Sequence, residues 1–270
     1  MKEIEGKYFL ANGIEKRVEE FKDDTITKGR TIYEVIRVMD RKPLFFNPHI
    51  ERLHNSAILA GLEFNINDSE LKAQIIKLIE INHIESGNVK IALIIGSLYI
   101  FKIKHSYPDK SAYDKGVLAV LFMAERKDPN IKIIDTGFRA RANEKIKEKN
   151  AYEAILVDNN GYITEGSRSN IFMVKGNTLV TSPASQVLPG VTRNIIIALA
   201  EKIGIAVMED KVSFRQIGEM DGIFISGTSP KVLPVNKVDD IDFRSSSNPV
   251  IKQIMKEYDK FAAEDISSFT

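Results

Sequence analysis

The sequence predicts a two-domain protein in which both domains mix helices and strands, an α/β or α+β fold. Two observations carry this prediction. The chain has 270 residues, 43% of them hydrophobic and 28% charged, which is enough for one large core or two moderate ones. Strand-like and helix-like patterns alternate along it, and a polar segment at 125–130 interrupts them near the middle. We therefore expect an N-terminal domain over 1–124, a linker over 125–130 and a C-terminal domain over 131–270.

The elements expected before the linker follow from two patterns. Runs of β-branched and aromatic residues predict strands at 31–38, 43–46, 89–95 and 116–123. Apolar residues at helical spacing predict a helix that is capped by Asn47, has Pro48 in its first turn and ends at Gly61. A second helix is expected after Asp68 and Ser69.

Beyond the linker, the same patterns predict further strands and helices up to the end of the chain. Hairpin turns are expected at 158–161 and 175–177, where Asn and Gly cluster between apolar runs. The remaining expected strands lie at 131–134, 205–208 and 222–226, and the expected helices at 138–149, 192–203, 214–220 and 249–262.

Composition excludes several classes of function. The chain has no cysteine, which rules out disulfides, thiolate catalysis and cysteine-bound metals. Among the four histidines only His49 and His54 are close, and their spacing does not stack two ligands on one helix face, so we expect no metal site. The net charge is 38 − 37 = +1 without a long single-sign block, so neither nucleic acid nor a membrane is an expected partner. The start of the chain has no apolar core typical of a signal peptide, and a cytoplasmic location is expected.

One carboxylate is unusual in its surroundings. Glu165 lies in a Gly/Ser-rich stretch between apolar strand-like runs, and burying a carboxylate is costly unless a cationic group pairs with it. The segment runs Tyr-Glu-Ala-Ile-Leu-Val-Asp at 152–158 and Gly-Tyr-Ile-Thr-Glu-Gly-Ser-Arg-Ser-Asn-Ile-Phe-Met-Val at 161–174. It resembles the central motif of the class IV aminotransferases, which are fold-type-IV pyridoxal-phosphate (PLP) enzymes with a smaller N-terminal and a larger C-terminal domain. The resemblance implies that the carboxylate of Glu165 pairs with the protonated pyridine nitrogen of PLP.

Two further segments resemble the phosphate-binding parts of that family. Leu-Pro-Gly-Val-Thr-Arg at 188–193 opens an expected helix, where the backbone N–H groups of Val191 and Thr192 would meet the cofactor phosphate. Ser-Gly-Thr at 226–228 follows an expected strand and resembles a second phosphate-binding turn, with Gly227 and Thr228 as the candidate residues. Taken alone, each segment is more typical of a helix cap or a strand-end turn than of a phosphate site.

The cations expected at the cofactor are an arginine and a lysine. Arg52 stands in His-Ile-Glu-Arg-Leu at 49–53, which resembles the family motif whose arginine binds the phosphate; without that context it reads as a surface arginine. Lys132 precedes Glu153 by 153 − 132 = 21 positions, the family's spacing from the Schiff-base lysine, although an exposed strand residue is the alternative. Asp135 replaces the family's frequent asparagine, and Lys145 is the second candidate for the lysine.

The substrate side carries the weakest signals. Tyr33, within the run 31–38, resembles the aromatic residue that lines this side in the family, and a core aromatic residue is the alternative reading. The resemblance places a substrate loop at 96–108, where Lys104 and His105 are the candidates for binding a carboxylate. An arginine two residues before the histidine is typical of D-amino-acid enzymes, and Ile103 stands there instead.

The resemblance extends from about Gly29 to about Val235 and implies a PLP-dependent aminotransferase. Such an enzyme moves an amino group between an amino acid, here of the branched-chain or the D-type, and a 2-oxo acid. Family members are typically homodimers. Two alternatives stay open at this point: a 4-amino-4-deoxychorismate lyase on the same scaffold, and a binding protein without catalysis.

Overall fold

The computed structural model describes residues 3–22, 24–27 and 29–269. These residues group into two compact units that each mix helices and strands, which confirms the expected fold class. The first unit comprises the described residues up to Ser106, together with Ile131–Ile134 and those from Ala262 onward. The second comprises Tyr107–Asn130 and Asp135–Phe261. The segment 125–130, where a linker is expected, therefore lies inside the second unit. Residues 107–124 before it also belong to the second unit, whereas Ile131–Ile134 after it belong to the first.

The first unit is built on an antiparallel sheet with strand order β2-β1-β6-β5-β3-β4. The central strand β5 is buried on both faces from Gly87 to Leu93, and most of its side chains are apolar. The elements in chain order are β1 (Ile4–Ala11), β2 (Ile14–Arg17), β3 (Ile32–Met39), β4 (Lys42–Pro43), α1 (Phe46–Ala60), α2 (Asp68–Ile81), β5 (Ser86–Ile94) and β6 (Ser97–Ile103).

Alternation along β3 divides the core of this unit between the two faces of the sheet. Ile32 and Ile36 point to the face covered by α1 and α2, where Leu53 and Ile75 meet them in one apolar cluster. The opposite face carries Val35 and an aromatic cluster in which Phe21 contacts the rings of Phe9 and Phe101, with centroids 5.2 and 5.1 Å apart. Successive residues of β3 thus serve different environments.

The second unit contains a long mixed sheet with strand order β12-β11-β10-β14-β15-β7-β8-β9-β13, and β16 pairs with β15. Strand β7 runs parallel to both β15 and β8, whereas β8 and β9 form an antiparallel hairpin. The elements in chain order are α3 (Lys110–Lys115), β7 (Val117–Met123), α4 (Thr136–Glu148), β8 (Glu153–Val157), β9 (Tyr162–Gly166), β10 (Asn170–Lys175), β11 (Thr178–Thr181), α5 (Val191–Lys202), β12 (Ala206–Glu209), β13 (Val212–Ser213), β14 (Gly222–Gly227), β15 (Lys231–Val238), β16 (Ile241–Asp242) and α6 (Pro249–Ser268).

Most of the long periodic elements lie where the sequence predicts them. This holds for the strands β3, β5, β7 and β14, for the helices α2, α4 and α5, and for both hairpin turns. The turn at 158–161 shows why: the Asp158 carboxylate accepts hydrogen bonds from the N–H groups of Asn160 and Tyr162, and Gly161 has φ +81°. Among the described residues, no helix is both long and apolar enough to cross a membrane.

Several predictions are wrong in the first unit. Helix α1 begins at Phe46, not after Asn47, because Phe45 takes a left-handed conformation and its N–H donates to the Asp265 carboxylate at 2.7 Å. The strand expected at 43–46 ends at Pro43. Most of the loop expected at 96–108 is strand β6, because every residue from Leu98 to Ile103 pairs with β5. The strand expected at 131–134 is reduced to one bridge between Ile133 and Ile32.

Two further differences concern the C-terminal part of the chain. The helix expected at 214–220 is a 3-10 helix over Phe214–Glu219. Helix α6 continues to Ser268 instead of ending at Ala262, because Ile266 is also buried and the apolar spacing continues past residue 262.

Candidate active site

The candidate lysine Lys132 lies on a short segment that is bound to the edge of β3. The N–H of Tyr33 donates to the Lys132 carbonyl, and the N–H of Ile134 donates to the Thr31 carbonyl, both at 2.9 Å. This register puts Lys132 beside Tyr33 on one face of the sheet. The Lys132 Nζ atom lies 4.9 Å from the centroid of the Tyr33 ring. The structure thus brings together the two residues that the sequence proposed for the cofactor and for the substrate side.

A second ammonium group meets the same ring. Lys90 Nζ lies 4.7 Å from the Tyr33 centroid, and the side chain of Lys90 is buried. Both carboxylate oxygens of Glu3 accept from this Nζ at 2.8 Å, which compensates the buried charge. No local sequence pattern indicates Lys90 at this ring, because its place depends on the pairing of Val35 with Lys90 between β3 and β5. Tyr33 is accordingly half-buried between cations and not part of an apolar core.

The opposite face of β3 carries an ionic cluster around Glu34. Arg52 donates from Nε to Oε1 at 2.8 Å and from Nη2 to Oε2 at 2.9 Å, and His49 Nδ1 lies 2.7 Å from Oε2. Because a carboxylate only accepts, Nδ1 is the donor of the last bond. His49 and Arg52 are three residues apart on α1, so they lie one turn apart on the same face. Arg52 is thus fixed by a two-point interaction that its sequence motif did not predict.

The protonation of this cluster follows from the balance of burial and charge. Burial raises the pKa of Glu34, but the charge of Arg52 and the hydrogen bond from His49 outweigh it and lower the pKa to about 2. Burial lowers the pKa of His49, against the opposing effect of Glu34. Glu34 is therefore ionised and His49 neutral near pH 7, which leaves the guanidinium of Arg52 as the cation of the cluster.

The other lysine and histidine candidates lie elsewhere. Lys104 and His105 follow the end of β6 and are exposed; the N–H of Lys104 donates to the Glu3 carbonyl at 2.9 Å. Lys145, the second candidate for the lysine, lies on α4 and pairs with Glu148 at 3.6 Å. At the Tyr33 ring the structure places Lys90 and Lys132.

In the second unit, Glu165 is buried near the end of β9, with 2% of its surface exposed. Arg126 Nη1 lies 3.2 Å from Oε1, and the N–H of Leu188 donates to Oε2 at 3.1 Å. A neighbouring guanidinium favours the ionised carboxylate, which meets the requirement for a cationic partner. Arg126 lies in the polar segment 125–130, whose composition predicts a linker and indicates no partner for Glu165.

The Gly/Ser cluster after Glu165 is a tight turn held by a second buried carboxylate. Glu153 on β8 accepts hydrogen bonds from the N–H and hydroxyl of Ser167 at 3.1 and 2.6 Å and from the hydroxyl of Ser169 at 2.8 Å. A Cβ atom at Gly166 would overlap the Ser169 hydroxyl, so the turn accommodates glycine there. Glu153 thereby fixes the chain that leaves Glu165.

The start of α5 has the features expected of an anion site. Gly190 is the N-cap residue of α5, and no side-chain cap of this helix start is found among the described residues. The N–H groups of the first turn are therefore available to an anion. Asn170 donates from Nδ2 to the Leu188 carbonyl at 2.9 Å, and its Oδ1 lies where a Cβ atom of Gly190 would be. Asn170 therefore ties the helix start to β10, and only glycine fits at position 190 without a shift of that side chain.

The Ser226–Thr228 segment, the second one proposed for the phosphate, begins beside Asn170. Ser226 pairs in register with Asn170, and alternation puts both side chains on the face of the sheet that carries the stacked rings of Phe172 and Phe224. The Ser226 hydroxyl is buried, and none of the described residues forms a hydrogen bond with it. A buried hydroxyl without a partner is uncommon. The Ser226 hydroxyl could donate a hydrogen bond to an acceptor such as a phosphate oxygen. The start of α5 nearby supplies further N–H donors. This part of the second unit therefore fits a phosphate group.

No group of three or more His, Cys, Asp or Glu side chains within the described ranges is arranged to hold a metal ion. The buried carboxylates of Glu34, Glu153 and Glu165 are each paired within their own unit, with a cationic side chain or with hydroxyl and backbone donors.

The Glu34 cluster leads to a prediction about acid stability. Because the folded-state pKa of Glu34 is below its unfolded value, this carboxylate stabilises the fold above about pH 4.5, and the contribution is lost as pH falls toward about 2. We expect Glu34→Gln to lower the free energy of unfolding at pH 7 by about 3–5 kcal/mol, since Arg52 loses its partner. The difference from the unsubstituted protein should shrink between pH 4.5 and 2.

Urea unfolding at several pH values measures both effects. The control is Glu85→Gln in the exposed pair of Glu85 with Arg41, for which we expect a change below about 1 kcal/mol at any pH. An unfolding free-energy difference for Glu34→Gln that stays constant from pH 7 to pH 3 would contradict the assignment of the low pKa.

Known proteins resemble this chain in both sequence and fold. The model of the family "Amino-transferase class IV" matches residues 31–238. The chain is 30% identical to D-alanine aminotransferase of Bacillus licheniformis, over 78% of this chain and 80% of that protein. It is 29% identical to branched-chain-amino-acid aminotransferase of Escherichia coli, over 85% and 83%. The crystal structure of that E. coli enzyme superposes with a TM-score of 0.86 at 26% identity, covering 96% of this chain and 95% of the other. The resemblance found in the sequence is confirmed: the chain belongs to the class IV aminotransferase family of PLP enzymes.

Proposed function

We propose that this protein transfers an amino group between an amino acid of the branched-chain or D-type and a 2-oxo acid. The observation that carries the proposal is the buried Glu165 carboxylate, which lies within the class IV motif and pairs with the guanidinium of Arg126. The two relatives compared above act on different donors at nearly the same identity, so both donor classes are retained.

Glu165 is proposed to bind the pyridine nitrogen of PLP and to hold a proton on it. When bound, the cofactor supplies an electron-withdrawing ring that stabilises negative charge at the α-carbon of the substrate. Arg126 and the N–H of Leu188 contribute by keeping the Glu165 carboxylate ionised and oriented. A neutral carboxylic acid at this position would not hold the proton on the nitrogen.

Lys132 is proposed to attach the cofactor covalently and, once released, to move the proton of the substrate α-carbon. Proton transfer by a positioned base contributes roughly 10²–10⁴-fold to the rate of such reactions. Support comes from its spacing to Glu153 and from the two backbone hydrogen bonds that fix its segment to β3. The cation–π contact with Tyr33 adds a defined position for the amine.

The phosphate is proposed to be bound by Arg52, by the N–H groups of Val191 and Thr192, and by Gly227 and Thr228. Glu34 supports the arginine in this role, because it fixes the plane of the guanidinium by two hydrogen bonds. The buried hydroxyl of Ser226 is an additional donor for the same group. Tyr33 remains a proposed substrate-binding residue, whereas Lys104 and His105, exposed beyond the end of β6, are proposed from the family resemblance alone.

A homodimer in the cytoplasm is also proposed, by analogy with the family. Sedimentation velocity of the purified protein at several concentrations tests the assembly: we expect a mass close to twice 30.4 kDa. A single species of 30.4 kDa that is fully active at every concentration would contradict it.

The proposed reaction is tested by a half-reaction with the PLP-loaded protein. D-alanine, L-leucine and a panel of amino acids of both hands are added separately, without a 2-oxo acid. We expect at least one of them to convert the bound cofactor to its amino form, seen as a change in its absorbance, with one equivalent of the 2-oxo acid released. Pyruvate formed from 4-amino-4-deoxychorismate, with no half-reaction on any amino acid, would favour the lyase instead. Failure to bind PLP at all would favour a non-catalytic binding protein.

The assignment of the lysine is tested by Lys132→Ala, with Lys145→Ala as the matched control. We expect Lys132→Ala to abolish the covalent attachment of PLP that borohydride makes permanent, and to lower the rate of the half-reaction by at least about 10²-fold. Lys145→Ala should keep both, because Lys145 pairs with Glu148 on α4. Mass spectrometry of the reduced proteins reads the outcome. A PLP adduct that persists in Lys132→Ala would show that another lysine is used.

A further inference from the structure

The turn between β14 and β15, residues 227–231, forms polar contacts with α3 and with α6. Gly227 and Lys231 pair across the base of the turn. The Tyr113 hydroxyl on α3 donates to the Pro230 carbonyl at 3.1 Å, and Lys231 Nζ lies 2.7 Å from the Asp259 carboxylate on α6. Both contacts are made by elements of the second unit to the part of the turn that follows Thr228.

The backbone of this turn is not in a relaxed conformation. Lys231 has φ +54°, in the left-handed region that residues with a side chain adopt infrequently. Such a conformation persists where the surroundings impose it. The side chain of Lys231 forms an ion pair with Asp259, which connects this residue of the turn to α6.

Packing alone does not hold the turn on this side. A cavity of about 320 Å³ lies next to it, lined by Tyr113, Val232, Met255 and Tyr258 beside the ion pair of Lys231 and Asp259. A turn that borders open space can move into it. The hydrogen bond of Tyr113 and the ion pair of Asp259 therefore add to the pairing of β14 with β15 in setting where the turn lies.

We propose that Tyr113 and Asp259 are positioning residues for the phosphate-binding turn. They act through Pro230 and Lys231, and so place Gly227 and Thr228 and the end of β14 that carries the buried Ser226 hydroxyl. The proposal rests on the function proposed above and adds to it the means by which the phosphate subsite keeps its shape. It predicts that loss of either contact weakens binding of the phosphate and leaves binding of the pyridine ring unchanged.

The test compares PLP with pyridoxal, which lacks the phosphate, on the full-length protein freed of cofactor. We expect Tyr113→Phe to raise the Kd for PLP about three- to tenfold, the effect of one lost hydrogen bond. Asp259→Asn should raise it by about two- to fivefold, because the Asp259 carboxylate is 59% exposed and its ion pair is screened by solvent. The Kd for pyridoxal should stay within about twofold. Circular dichroism and the thermal midpoint verify that each variant folds, and if one does not, the other carries the test.

The control is Tyr8→Phe on β1 of the first unit, a half-buried tyrosine that takes part in none of the contacts described for the turn or the candidate site. Both Kd values should be unchanged in this variant. If the Kd values for PLP and pyridoxal rise equally in Tyr113→Phe and Asp259→Asn, the positioning role is overturned. The same holds if neither Kd rises in these variants, and in both cases the proposed function stays intact. Wild-type protein that does not bind PLP would overturn the proposed function as well.

Discussion

A buried carboxylate must be compensated, and much of the arrangement of this protein follows from three such groups. Glu34 is compensated by a guanidinium and an imidazole, Glu153 by hydroxyl and backbone donors, and Glu165 by one guanidinium and one N–H. Each solution has a different consequence. The first fixes Arg52, the second shapes the turn after Glu165, and the third holds the carboxylate that we propose as the partner of the cofactor's ring nitrogen.

The sequence predicted the elements that depend on local rules. Helix α2 and strand β5 have clear periodicity, and the turn before Gly161 has a side chain that accepts from its own backbone. The errors lie where tertiary contacts decide. The start of α1 is set by the contact of Phe45 with Asp265, and the expected loop at 96–108 became β6 because β5 offered it a partner.

The residues of the candidate site likewise fall into those that a local motif indicates and those that only tertiary contacts place there. Motifs identified Glu165, Arg52 and the start of α5, because each is carried by residues adjacent in sequence. Their partners could not be found in that way. Arg126 is 39 residues from Glu165, and Lys90 faces Tyr33 only through the register of β3 with β5. Residues that complete a site from a distance leave no local pattern, so a structure is needed to find them.

The contact between Asn170 and Gly190 has a consequence for protein engineering. The amide oxygen of Asn170 occupies the space that any side chain at position 190 would need, while its nitrogen holds the Leu188 carbonyl. Substitutions at these two positions are therefore not independent, because a side chain introduced at 190 alone would displace the Asn170 amide. A smaller residue at 170 combined with alanine at 190 is the pair through which the entrance of α5 could be redesigned.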